Sequence, residues 1–181
     1  MNIFYLHENP IKAAQYQYNK HVVKMILESA QMLCTAHHHY AELNNYSVDY
    51  IPYKKAHYNH PSTVWVRQNS RNYYWLYHHM LALGNEYKKR YGKKHLSISK
   101  CKLPLQYVPT GMPLGGPITQ PPQAMPDEYK HKDSITAYWQ YYIQGKCHIA
   151  HKNEERYLTM PINWCLTKYN SMIKSIILAA T

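Results

Sequence analysis

Residues 20–36 read KHVVKMILESAQMLCTA, and the fold follows from the spacing within that run. Val22, Val23, Ile26, Ala30 and Leu33 recur at intervals of three and four, which is helical periodicity, and neither Gly nor Pro interrupts them. Extended outward, the pattern predicts one long helix over residues 11–43, opened by the turn at Glu8-Asn9-Pro10 and broken or capped near His37-His38-His39. On its other side Gln17, His21, Lys24, Glu28, Gln31 and Thr35 fall within about 80° of arc at roughly 100° per residue. Two readings of this polar stripe stand. It is a solvated face with an ordinary Lys24 to Glu28 i,i+4 pair, or it holds an imidazole, an ammonium and a carboxylate together for proton transfer or for gripping a phosphate and a base.

Before this helix, residues 3–6 read as a short strand or extended piece. After it, residues 46–59 read as a loop, and His60-Pro61-Ser62 as a helix start in which Pro occupies the first turn and Ser can cap. Trp65, Asn69, Asn72, Leu76, Met80, Leu83 and Tyr87 then continue at helical spacing to a stop at Gly92, with a candidate interruption at Ser70. Asn69 and Asn72 share a stripe with Trp65 and Leu76, so two amides sit on an inward face. They either cap a neighbouring backbone or line a pocket and read the polar edge of a base. Residues 103–126 hold seven of the eleven Pro, three of the six Gly and no charge, yet carry apolar side chains to bury; they are expected to form an ordered wrap, with a disordered loop as the alternative. A further helix is expected from an Asp133 cap to Gly145, and a last one over residues 163–178. The predicted class is mainly α: a single compact helical domain of 181 residues with a Pro-rich wrap and at most a short N-terminal strand.

The charge is uneven. Lys plus Arg is 21 against 10 Asp plus Glu, a net +11 with His neutral. Residues 54–102 alone carry eleven basic groups and one acidic, +10. This excludes an acidic or charge-balanced protein and favours an oriented contact with a polyanion. Lys54, Lys55, Arg67, Arg71, Lys88, Lys89, Arg90, Lys93 and Lys94 are the candidate nucleic-acid contacts, although cations in the last turn of a helix also complement its dipole. Tyr is in excess, 20 against a single Phe, and suits wet, partly buried surfaces and stacking on bases. The four Cys are widely separated and no segment reads as a signal core or membrane span, which points to reduced thiols in a cytoplasm. No His or Cys pair joins a second pair at metal-ligand spacing, and no phosphate-loop or GxSxG motif occurs, so neither a metal nor a cofactor is expected.

The blocks Met1-Asn2-Ile3-Phe4-Tyr5-Leu6, Lys20-His21-Val22-Val23-Lys24-Met25 with Glu28 and Gln31, Asn59-His60-Pro61-Ser62, Trp65-Val66-Arg67 and Pro121-Pro122-Gln123 resemble a family of small, mostly uncharacterised tailed-phage proteins of T4-like and marine phages. The resemblance covers residues 1–145 and implies a setting, the cytoplasm of a host bacterium, without supplying an activity. It strengthens the case for His21, Lys24 and Glu28. Members usually carry an acid before the Lys-His pair, where this chain has Asn19; a catalytic acid at that position would be missing here.

The leading expectation is therefore a nucleic-acid-directed phage enzyme acting on a DNA base or its glycosidic bond. His21 and Glu28 are the acid–base candidates. Lys24 is a nucleophile, given partial burial beside His21, or an electrostatic clamp. Gln31, His60, Trp65, Asn69, Asn72 and Tyr73 are the candidate substrate contacts. The alternatives are a non-enzymatic accessory that binds DNA or sequesters a host nucleotide or defence protein, and a virion component. No membrane partner is expected.

Overall fold

A computed structural model describes residues 1–149. The described residues form six α-helices: α1 (Pro10–Gln15), α2 (Asn19–Asn44), α3 (Pro61–Val66), α4 (Ser70–Tyr91), α5 (Leu96–Cys101) and α6 (Ser134–Gln140). α6 runs on into a π turn at Tyr141–Gly145, and 3-10 turns lie at Asp127–Tyr129 and Cys147–Ile149. No strand occurs among the described residues, and the architecture is mainly α as expected. α4 packs along α2 and α1, while α3 and α5 flank α2. The expected helix over residues 163–178 lies outside the described residues.

The long helix is in fact two. Asn9 caps α1, accepting the N–H groups of Ile11 and Lys12, with Pro10 in the first turn. The chain then turns at residues 16–18, because the groups that would continue the helix are engaged elsewhere. The carbonyl of Gln17 takes the Arg90 guanidinium at 2.9 Å, and its side-chain amide donates to Nε2 of buried His79 at 3.0 Å. α2 restarts at Asn19 and runs unbroken through His37-His38-His39 to a left-handed cap at Asn45. The three histidines do not end it; His37 is buried and donates to the Tyr73 hydroxyl at 2.9 Å. Val22, Met25, Ile26, Ala30 and Leu33 make the core face, and Val23 is instead exposed.

The second expected helix is divided between α3 and α4, at the interruption expected near Ser70. His60, not Ser62, caps α3, its ring Nδ1 accepting the Ser62 N–H at 3.2 Å. Asn69 caps α4 through the Asn72 N–H at 3.0 Å, and Gly92, at φ +67, ends it as expected. Asn72 is fully buried and spent on backbone and wrap. Its amide donates to the Trp65 carbonyl at 2.9 Å and to Thr119 Oγ1 at 2.8 Å, and its oxygen accepts the Thr119 N–H at 3.1 Å.

Residues 102–126 cross the helices without helical structure of their own beyond turns. Leu105 and Met112 are buried, whereas Leu103, Tyr107, Leu114 and Ile118 remain exposed. The crossing is held by aromatic side chains with polar tips. The hydroxyls of Tyr77, Tyr73, Tyr46 and Tyr138 donate to the carbonyls of Lys102, Leu105, Thr110 and Pro122, and the Trp65 indole donates to Thr119. The N-terminal residues 3–6 are buried but irregular. Their carbonyls are taken up similarly, by Trp139 on Leu6 and Trp75 on Glu8 nearby.

This packing makes stability testable at two points. Replacing Asn72 with Ala strands the Trp65 carbonyl and the Thr119 N–H, and is expected to lower urea-unfolding stability by about 2 kcal/mol. Burial holds His21, His37 and His79 down to about 4, so the unfolded chain takes up protons that the folded chain refuses. Stability is full above pH ~6.5, the ordinary histidine value, and is lost as pH falls toward 4. Urea titrations between pH 4.5 and 7.5 should show this slope, and an unchanged midpoint would contradict it.

Candidate active site

α2 brings the stripe residues to one face, and the start of the chain covers them. Glu28 lies at the centre, its side chain 11% exposed. Its Oε2 accepts the Asn2 N–H at 2.9 Å and stands 3.9 Å from the α-amine of Met1, while Oε1 is 3.3 Å from Lys24 Nζ. Asn2 fixes the approach. Its side-chain oxygen accepts the N–H groups of Ile3 and Phe4, and its amide donates to the Ala124 carbonyl at 2.9 Å. This turn puts Phe4 at φ +45, in the left-handed region that a bulky residue rarely adopts. The Phe4 ring stacks on the His21 imidazole at 4.2 Å and 20°. Strain of this kind persists where surrounding contacts over-determine it, and it clusters at functional sites.

These groups line a cavity of about 410 Å³, together with Lys20, Tyr141 and Lys146. Lys20, Lys24 and Lys146 supply positive charge around the one carboxylate of this lining. His21 is held down to about 4 by burial first, then by Lys146, Lys24 and His148. It therefore meets the cavity as a neutral imidazole at neutral pH. His60 is lowered by its burial and by the positive N-terminus, with Glu28 opposing. The arrangement offers a carboxylate beside two primary amines, within a rim suited to phosphate.

A stripe opposite the apolar face would be a solvated surface, but this one is covered: Gln17, His21, Glu28 and Thr35 are buried. Lys24 remains 70% exposed, so the partial burial that a lysine nucleophile calls for is not there. Trp65, Asn69, Asn72 and Tyr73 do not line the cavity. The two Asn hold backbone, and Trp65 and Tyr73 are core residues bonded to Thr119 and Leu105. Gln31 lies one turn beyond Glu28 at the edge of the stripe, outside the lining.

Among the candidate nucleic-acid contacts, Arg90 is internal. It pairs with Glu86 at 3.1 Å and bonds Gln17 and Asn19. Arg67 is fixed over the Tyr58 ring at 4.1 Å and donates to the Tyr58 carbonyl, and Lys55 approaches the same ring at 4.9 Å. Lys54, Arg71, Lys88, Lys89, Lys93 and Lys94 are exposed. Asn19, the position that the resemblance marks for an acid, turns its oxygen to Arg90 at 2.8 Å and is not in the cavity lining, so the central carboxylate is present without it. Sequence reasoning missed the Met1 amine, Asn2, Tyr141 and Lys146.

Residues 1–99, more than half of the chain, match the family described as pyrimidine dimer DNA glycosylase. The chain belongs to that family. No curated protein and no solved structure matches it. The expectation of an enzyme acting on a DNA base or its glycosidic bond agrees with this membership, and the substrate of the glycosylase is DNA. The matched segment contains Met1, His21, Lys24 and Glu28, whereas Tyr141 and Lys146 lie beyond it. No helix among the described residues is long and apolar enough to cross a membrane, and no group of three or more His, Cys, Asp or Glu among them is placed to hold a metal.

Glu28→Gln keeps the hydrogen bond from Asn2 but removes the charge. It is expected to lower base-release kcat by at least ~100-fold while duplex binding changes little, as measured by single-turnover assays beside fluorescence anisotropy.

Proposed function

We propose that this glycosylase excises a damaged pyrimidine, of the dimer class that its family name gives, by attack of a primary amine at the Glu28 carboxylate. The observation that carries the reading is the placement of the Met1 α-amine beside Glu28 Oε2, in a cavity rimmed by lysines. In the reaction the amine nitrogen bonds to C1′ of the deoxyribose as the C1′–N bond breaks. The base leaves with the bonding pair and takes a proton; the C1′–O4′ bond of the resulting glycosylamine then breaks as O4′ takes the proton held by Glu28, and the ring-opened sugar is left attached to the enzyme as a protonated imine. Glu28 accepts the proton that the amine gives up and stabilises the positive charge that develops on the sugar.

Two amines flank Glu28, and the α-amine is the better nucleophile. The Met1 amine is anchored at the cavity by a packed side chain, 2% exposed, whereas the Lys24 side chain reaches into solvent. Lys24, Lys20 and Lys146 act as phosphate clamps. The duplex continues along α2 toward the Arg67, Tyr58 and Lys55 cluster, which is tied to the C-terminal half of that helix by the Tyr40 hydroxyl on the Arg67 carbonyl and by His39 on Tyr58. The protein acts as a single domain, in the host cytoplasm that its resemblance to tailed-phage proteins implies.

Borohydride reduction during turnover on ultraviolet-irradiated duplex should trap a covalent enzyme–DNA adduct, which peptide mapping should place on Met1. A trap on Lys24 would reassign the nucleophile, and base release with no trap would overturn the amine mechanism. Lys20→Ala combined with Lys146→Ala should weaken duplex binding and lower the salt slope, log K against log salt, by about 0.9 for each phosphate that is no longer neutralised.

A further inference from the structure

Tyr142 lies in the π turn after α6, outside the residues that match the glycosylase family. It is fully buried, and its hydroxyl oxygen lies 2.6 Å from His21 Nδ1 and accepts the Tyr18 N–H at 3.0 Å. The Tyr18 hydroxyl returns a bond to the Tyr142 carbonyl at 3.1 Å, and the two rings stack at 4.3 Å and 11°. The pair is thus clasped in both directions, which fixes the hydroxyl in place. Phe4 covers the imidazole face. A phenol has one proton and two lone pairs, so it can accept the Tyr18 N–H and donate to Nδ1 at the same time. With the phenol as donor, the imidazole hydrogen would reside on Nε2, in a ring that lines the cavity.

We propose that Tyr142 is a positioning residue for the glycosylase reaction, holding His21 as the Nε2–H tautomer so that it donates a hydrogen bond into the cavity, to the carbonyl oxygen of the departing pyrimidine. That oxygen gains negative charge as the C1′–N bond breaks, and a donor fixed in advance stabilises it without reorganising. Burial and the neighbouring cations Lys24, Lys146 and His148 oppose a second proton on the ring, consistent with a donor that does not need to be an imidazolium. π turns recur at functional sites, and this one delivers a side chain from late in the sequence to a helix that begins near its start. The proposal rests on the excision reading for the identity of the acceptor, but not for the tautomer.

The test begins with nitrogen NMR of protein labelled at histidine, without DNA, at pH 7. The expected result is an Nε2–H His21 in the wild type and loss of that preference in Tyr142→Phe. Kinetically, Tyr142→Phe should lower kcat about 10- to 100-fold with KM for the duplex unchanged. His21→Gln, whose amide nitrogen occupies the Nε2 position, should retain more activity than His21→Phe, and adding Tyr142→Phe to His21→Gln should cost little more. An Nδ1–H tautomer in the wild type overturns the proposal, and that measurement decides even if the Phe variant fails to fold. Equal losses from Tyr142→Phe in the wild type and in the His21→Gln variant would mark a merely structural role and overturn it as well. Absence of a borohydride trap alongside an Nε2–H tautomer would remove the amine mechanism and leave the tautomer assignment standing.

Discussion

The structure depends on how buried irregular backbone is satisfied. Long stretches of this glycosylase, residues 1–9, 46–60 and 102–126, pack on the helices without a regular hydrogen-bond ladder of their own. Polar backbone that leaves water must find partners. Here many of them are aromatic tips: tyrosine hydroxyls and tryptophan N–H groups reach loop carbonyls while their rings fill the core. That is a physical reason for so many Tyr beside a single Phe, since a phenyl ring would fill the same space and leave the carbonyl unpaired. The first residues are held in the same way. Trp139, Trp75 and the Asn2 amide pin the strip, and the strip sets the Met1 amine beside Glu28.

Much of the helical scaffold is legible in the periodicity of the chain, including the Gly92 stop, the Asp133 cap and the unbroken character of residues 20–36. The break at residues 16–18 is not, because its cause is a guanidinium from Arg90, 73 positions away. Short-range spacing carries no trace of such a partner. The α5 helix (Leu96–Cys101) is too short to stand out by periodicity.

The site divides along the same line. His21, Lys24 and Glu28 stand out because a helix places them in one arc. The burial of His21 and Glu28 does not, since it comes from the first four residues and from Tyr141 and Tyr142, distant in sequence. Asn72 does lie on an inward face, but its partners, Trp65 and Thr119, belong to the protein itself, and Asn69 is spent capping the Asn72 N–H. The basic run at 88–94 reads as a uniform patch, yet Arg90 is consumed in holding α4 to the start of α2. An α-amine, finally, has no residue type to search for. Glu28 is shared between that amine, the Asn2 N–H and Lys24. A phosphate that draws Lys24 away would free Oε1 at the moment substrate arrives, which couples DNA contact to the availability of the carboxylate.

The clasp between Tyr18 and Tyr142 spans 124 residues. Contacts of such separation form late, because the loop they close must first be ordered. A ribosome that has made all of α2 has made the carboxylate, the imidazole and the amine, but not the wall that orders them. On the proposed mechanism, competence for chemistry is thus deferred until residues 141–146 have emerged and docked. The partly synthesised chain thus carries its basic segment, residues 54–102, before the wall of the proposed site is in place.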